Sequence, residues 1–162
     1  MICCFIGHRK IERSPELISR LEWLLEKLIK SGTDCFIFGD HSEFNTLCHD
    51  TVTVLQGKYP HVRRIHYRTE YEELSDSVRR FFLSGYEDSI CPKGVARSGK
   101  AAYVKRNRAM IDNSDICLFY YDKKYQPGVN TKSGTRLAFE YAIKKNKTVF
   151  NLADSLSDRL LN

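Results

Sequence analysis

The feature that most constrains this chain is a repeated pairing of short, uninterrupted apolar runs with longer amphipathic ones. Residues 2–6, 35–38 and 116–121 are apolar or aromatic at every position. A strand with one wet face alternates polar and apolar residues, whereas an unbroken run reads as a strand buried on both faces. Between the first two runs, Leu17, Ile18, Leu21, Leu24, Leu25, Leu28 and Ile29 recur at helical spacing. Ser14-Pro15-Glu16 starts that helix as cap and first turn, and Gly32 ends it. Phe44, Leu47, Cys48, Val52 and Leu55 trace a second helix, closed by Gly57 and Pro60. Strands are expected at 62–67 and 148–152, and helices at 71–83, 98–113 and from Gly134 to Ala142. The stretch 122–132 reads as a loop, and the polar tail after 152 leaves helix open as an option. Alternation of this kind predicts an α/β fold: a mostly parallel sheet with helices on both faces and the ligand site at the carboxyl ends of its strands.

A length of 162 residues suits a single domain spanning 1–162. Lys and Arg number 26 against 20 Asp and Glu, and the resulting charge of +6 favours anionic partners. The chain opens with six apolar residues before Gly7-His8-Arg9-Lys10, the reverse of a secretory leader. No run approaches the ~18 apolar residues of a membrane span. A cytoplasmic protein with no membrane association is expected. The six cysteines form no C-x-x-C pair and read as reduced core residues. Cys48-His49 with His41 matches no metal-ligand spacing, so neither a metal nor a cofactor is expected.

The strand ends carry the residues of interest. Gly7, His8 and Arg9 follow the first strand: the glycine allows a sharp exit and close approach, and the other two can donate hydrogen bonds to an anion. Gly39, Asp40, His41, Ser42 and Glu43 follow the second. Asp40 and Glu43 would repel phosphate there and suit a ribose hydroxyl or acid–base chemistry, while Ser42 or Asp40 is also a ready helix cap. Thr131-Lys132-Ser133-Gly134-Thr135 opens the last helix, and Ser133, Gly134 and Thr135 read as the best anion site, with Lys132 beside them. Lys105 to Arg108 is the densest basic cluster. Lys105 and Arg108 share a helix face, and Arg106 points elsewhere.

Four segments together resemble the SLOG superfamily, in its YpsA-like branch. They are Phe5-Ile6-Gly7-His8-Arg9; Phe36-Ile37-Phe38-Gly39 with Phe44-Asn45; Arg106-Asn107-Arg108-Ala109-Met110-Ile111-Asp112-Asn113-Ser114-Asp115; and Ser133-Gly134-Thr135 with Tyr141-Ala142. The resemblance implies a three-layer Rossmann-like fold and a pocket for a nucleotide or nucleotide-derived ligand. The superfamily includes the Lonely Guy phosphoribohydrolases, the DNA-processing protein A family and molybdenum-cofactor carriers. Residues 68–99 have no counterpart in it and read as a variable insert. Arg106 stands four residues before Met110, as the hydrolases' catalytic Arg does before its Met. The position of their catalytic Glu is Leu137 here, with Glu140 the nearest acid. Where YpsA-like chains carry Gly-Gly and Phe-Asp, this one has Gly39-Asp40 and Phe44-Asn45.

The leading expectation is therefore a nucleotide-binding module, with Gly7, His8, Arg9, Gly39, Asp40, Arg106, Ser133, Gly134 and Thr135 as its ligand residues. An alternative is an N-glycosidic hydrolase acting on a nucleoside monophosphate, with Arg106 on the phosphate and Asp40, Glu43 or Glu140 as the acid. A third is a DNA-binding accessory protein, although nucleic acid is not the favoured partner. Assembly into a homo-oligomer is compatible with all three.

Overall fold

The computed structural model describes residues 1–39, 42–71, 73–125 and 133–154. Among them, β1 (Ile2–Gly7), β2 (Cys35–Phe38), β3 (Arg63–Tyr67), β4 (Asp88–Ile90), β5 (Ile116–Tyr120) and β6 (Thr148–Asn151) form one sheet in the order β4-β3-β2-β1-β5-β6. Every neighbouring pair is parallel. Parallel neighbours need long crossovers, and helices supply most of them: α1 (Pro15–Lys30), α2 (Glu43–Lys58), α3 (Asp76–Phe82), α4 (Ala102–Asp112) and α5 (Gly134–Lys144). This is the Rossmann-like α/β architecture, with helices on both faces of a parallel sheet.

Period-two alternation inside the apolar runs decides which core each side chain joins. Cys3 and Phe5 of β1 face α1 and α2, packing with Leu21, Leu25, Phe36, Phe38 and Leu118. Cys4 and Ile6 face the other way, into the core with Ile37, Met110, Ile111, Cys117 and Phe119 beneath α4 and α5. Each fully buried Phe or Leu contributes roughly 1.5–3 kcal/mol. All six cysteines are free thiols, and Cys3, Cys4, Cys48 and Cys117 are buried. Burial pushes the Cys3 and Cys48 thiols well up, so both stay protonated and pack as small apolar groups.

The helix starts follow the cap residues. Ser14 Oγ accepts from Leu17 N–H at 3.1 Å, and Ser42 Oγ accepts from Asn45 N–H at 3.0 Å. Past the end of α1, Gly32 takes φ +99°, a conformation that suits glycine. No helix among the described residues is long and apolar enough to cross a membrane.

Two expectations need correction, and one strand was not anticipated. The helix anticipated over 71–83 covers only Asp76–Phe82. Tyr71 sits at φ +55°, which no right-handed helix can include, and its carbonyl accepts from Arg68 Nε at 3.0 Å. The helix anticipated from 98 begins as a short 3-10 turn, Gly99–Ala101, with Gly99 at φ +52°, and becomes α-helical only at Ala102. Strand β4 had no apolar signature at all. Its three residues, Asp88, Ser89 and Ile90, form an edge defined by backbone pairing with Ile65, His66 and Tyr67. The tail from 155 onward lies outside the described residues.

One contact ties the end of β1 to the start of α2. A Cβ placed on Gly7 would overlap the Phe44 ring and lie 2.6 Å from Phe44 Cβ, and Phe44 itself is fully buried. Gly7→Ala is therefore expected to cost about 1–3 kcal/mol by overpacking. Phe44→Ala is expected to cost about 3–5 kcal/mol. In the double variant the clash partner is gone, so the two losses should fall short of additive. Urea unfolding of the four proteins measures that coupling.

Candidate functional site

Parallel β/α units place every strand-to-helix turn at one edge of the sheet. β1 leads to α1 on one face and β5 leads to α5 on the other, so the crevice between β1 and β5 is the topological switch point where such sheets bind ligands. Gly7, His8 and Arg9 lie at this end of β1, and Gly39 at the same end of β2. Tyr121 and Asp122 follow β5, and Ser133, Gly134 and Thr135 begin α5.

Arg106 is the most constrained of these residues. It comes from α4 and is only 7% exposed. Its guanidinium lies against the backbone of Gly39: a Cβ there would be 2.8 Å from Arg106 Cζ. Nε and Nη2 donate to Asn107 Oδ1 at 3.2 and 3.0 Å, and the guanidinium lies 5.5 Å from the Tyr103 ring centroid. Lys105 and Arg108 are exposed, as their helical phase requires. Arg108 lies 5.2 Å from the Tyr141 ring centroid. Gly39 is held from the other side by Asn45, whose Oδ1 accepts from Gly39 N–H at 3.2 Å.

His8 is 4% exposed and anchored to the end of β5. Its Nε2 accepts from Asp122 N–H at 3.0 Å, so the neutral ring carries its proton on Nδ1. The Tyr125 ring lies 4.4 Å away, centroid to centroid. Burial pulls the His8 pKa below 6.5, partly offset by the Asp122 carbonyl and carboxylate. Burial therefore favours the neutral form of the His8 ring. Arg9 is exposed, and its carbonyl accepts from Glu43 N–H at 2.9 Å.

The start of α5 is open. Ser133 Oγ accepts from Arg136 N–H at 3.1 Å, and the Ser133 carbonyl accepts from Leu137 N–H at 3.1 Å. The Gly134 and Thr135 N–H groups have no acceptor among the described residues. A Cβ on Gly134 would meet no heavy atom within 4 Å. Among the described residues, the packing of α5 thus leaves the Gly134 side-chain position empty. Thr135 is buried.

The candidate acids are differently placed. Glu43 Oε2 accepts from Ile11 N–H at 2.9 Å, fastening the loop after β1 to α2. Glu140 is exposed and pairs with Arg136 Nε at 2.9 Å. Leu137 is half-buried. Asp40, His41 and Lys132 lie outside the described residues. The structure thus joins Gly39 to Arg106, His8 to the end of β5, and Glu43 to the loop after β1. Sequence reading overlooked the roles of Asn45, Tyr125 and Asn151. Asn151 bonds both backbone groups of Tyr121, at 2.8 Å to N and 2.9 Å to O. A lone buried Asn next to an apolar strand was the available signal.

No protein-family model matches the chain, and no curated protein matches it significantly. Solved structures do. DNA processing protein A from Helicobacter pylori, described for its single-stranded DNA binding, aligns with TM-score 0.60 and 18% identity, over 99% of this chain and 71% of that one. A molybdenum cofactor carrier protein from Chlamydomonas reinhardtii aligns with TM-score 0.56 and 16% identity, over 98% and 81%. At these identities the shared property is the fold.

In an NMR titration, the His8 imidazole should have its midpoint below 6.5. The unfolded chain takes up the proton first, so the His8 contribution to stability is complete above about pH 6.5. It declines as the pH falls from there through the folded-state midpoint. Denaturation across pH 5–7 should lose that part of its slope in His8→Gln.

Proposed function

We propose that this chain is a nucleotide-binding module of the SLOG superfamily, in its YpsA-like branch, that holds a nucleoside phosphate or a related ligand at the switch point. The observation that carries this reading is the buried Arg106 guanidinium lying on the Gly39 backbone, at the strand edge that the start of α5 also faces. A fixed guanidinium, the Gly134 and Thr135 N–H groups, which have no acceptor among the described residues, and a neutral His8 ring suit a phosphate ester. Cleavage of the glycosidic bond would need a carboxylate against the developing cation. The placement of Glu43 on Ile11 and of Glu140 on Arg136, with Leu137 between Arg136 and Ala138, favours binding, sensing or carriage over hydrolysis. Six free thiols suit a reducing, cytoplasmic setting. Residues 68–99, which supply α3 and β4, act as an insert at the sheet edge of a single domain.

Isothermal titration against nucleoside mono- and diphosphates and ADP-ribose tests the reading. Wild type should bind at least one of them. Gly134→Asp places a carboxylate at the open helix start, where the helix itself tolerates it, and should weaken binding by at least about tenfold, or about 1.4 kcal/mol. Failure of wild type to bind any of them, or equal binding by the variant, would overturn the proposal. Gly39→Ala should cost about 1–3 kcal/mol of stability, because the new Cβ would lie 2.8 Å from Cζ of the buried Arg106 and must displace it. It should still weaken nucleotide binding, because the residue that moves is Arg106.

A further inference from the structure

Beside Gly39, on the side away from Arg106, a cavity of about 320 Å³ opens between α2 and the segment 81–86. Its walls include the rings of His49, His66, Phe81, Phe82 and Tyr86. His66 stacks with Phe82 at 5.6 Å and 27°, and with Tyr86 at 5.1 Å and 21°. His49 Nε2 donates to the Gly85 carbonyl at 2.7 Å, which fixes that ring and ties the segment 81–86 to α2. The wall polar groups are largely committed to the fold: Asn45 to Gly39 and Ser42, and the Ser84 hydroxyl to the Phe81 carbonyl. The cavity wall is therefore mainly aromatic. A few acceptor lone pairs remain at its rim on the Ser84 and Thr46 hydroxyls, which already donate to the Phe81 and Ser42 carbonyls.

We propose that this cavity is the base subsite of the nucleotide site and takes a planar heteroaromatic ring by stacking. The inference rests on the nucleotide reading above and extends it to this part of the insert. Helix α3 has no buried residue, yet it carries two adjacent phenylalanines, and Phe81 is 75% exposed. Inserting a flat ring would cover apolar surface that the fold leaves wet. The volume is at the lower end of the roughly 300–1,000 Å³ typical of small-molecule sites. The location fixes what the ring is attached to. Gly39 borders both the cavity and the Arg106 guanidinium, and β2 is two strand spacings, about 10 Å, from β5. A ligand with a flat ring at one end and an anion at the other fits that layout. Stacking alone tolerates any of the common bases.

The test is equilibrium binding of AMP, GMP, CMP, UMP, adenosine and ribose 5-phosphate to wild type, Phe81→Ala and Phe82→Leu. Phe81 is exposed enough that its variant should keep the wild-type urea midpoint, while Phe82→Leu preserves apolar bulk without the ring. At least one nucleotide should bind about tenfold or more tightly than ribose 5-phosphate, and both variants should lose at least about fivefold of that affinity with ribose 5-phosphate unaffected. If nucleotides and ribose 5-phosphate bind alike and neither variant alters nucleotide affinity, the base subsite is overturned and the nucleotide reading survives. If adenosine binds in a Phe82-dependent way but AMP binds no better, the base subsite stands and the anion site at α5 falls. Absence of binding by every probe overturns both.

Discussion

The first turn of α2 braces the carboxyl ends of β1 and β2. Phe44 fills the space that Gly7 leaves open, and Asn45 accepts from Gly39 N–H. Glu43 accepts from Ile11 N–H with its carboxylate and donates its own N–H to the Arg9 carbonyl. Three consecutive side chains thus fix the exits of β1 and β2 and the loop between β1 and α1. A shift of that turn would break the Gly7–Phe44 packing and the Gly39–Asn45 hydrogen bond. Close packing makes such a joint stiff, because neither an aromatic ring nor a strand backbone yields by a few tenths of an ångström without cost.

On that joint the site divides by chemistry. The side of Gly39 facing α4 is cationic, through a guanidinium taken out of water and held by Asn107. The side facing α2 and α3 is aromatic. At the centre of the sheet, His8 is kept neutral by burial and joined to the end of β5 by Asp122. A helix start, a buried charge and a group of rings thus come from different elements, and the parallel sheet gathers them at one edge.

How much of this was readable in advance differs from residue to residue. The runs at β1, β2 and β5 announced themselves because burial on both faces forbids polar positions. Ser14, Pro15 and Gly32 marked α1 because helix ends have backbone groups that only certain residues satisfy. The strand-end glycines, the start of α5 and Arg106 were legible as candidates, since the alternating pattern says where a ligand edge must be. Strand β4 was not legible: an edge of three residues is held by backbone bonds that any side chain permits. Tyr71 hid the short length of α3, because its left-handed backbone carries no mark in a residue that rarely adopts it.

Sequence alone determined the α/β alternation, the parallel sheet and the edge at which its strand-to-helix turns gather, since all three follow from local periodicity and from the handedness of crossovers. Only the tertiary structure decided that Gly7 accommodates Phe44, that Gly39 supports Arg106, and that His66, Phe82 and Tyr86 stack beside it. Those relations join residues far apart in the chain. They depend on the angle and register at which packed elements meet, which no window of sequence contains.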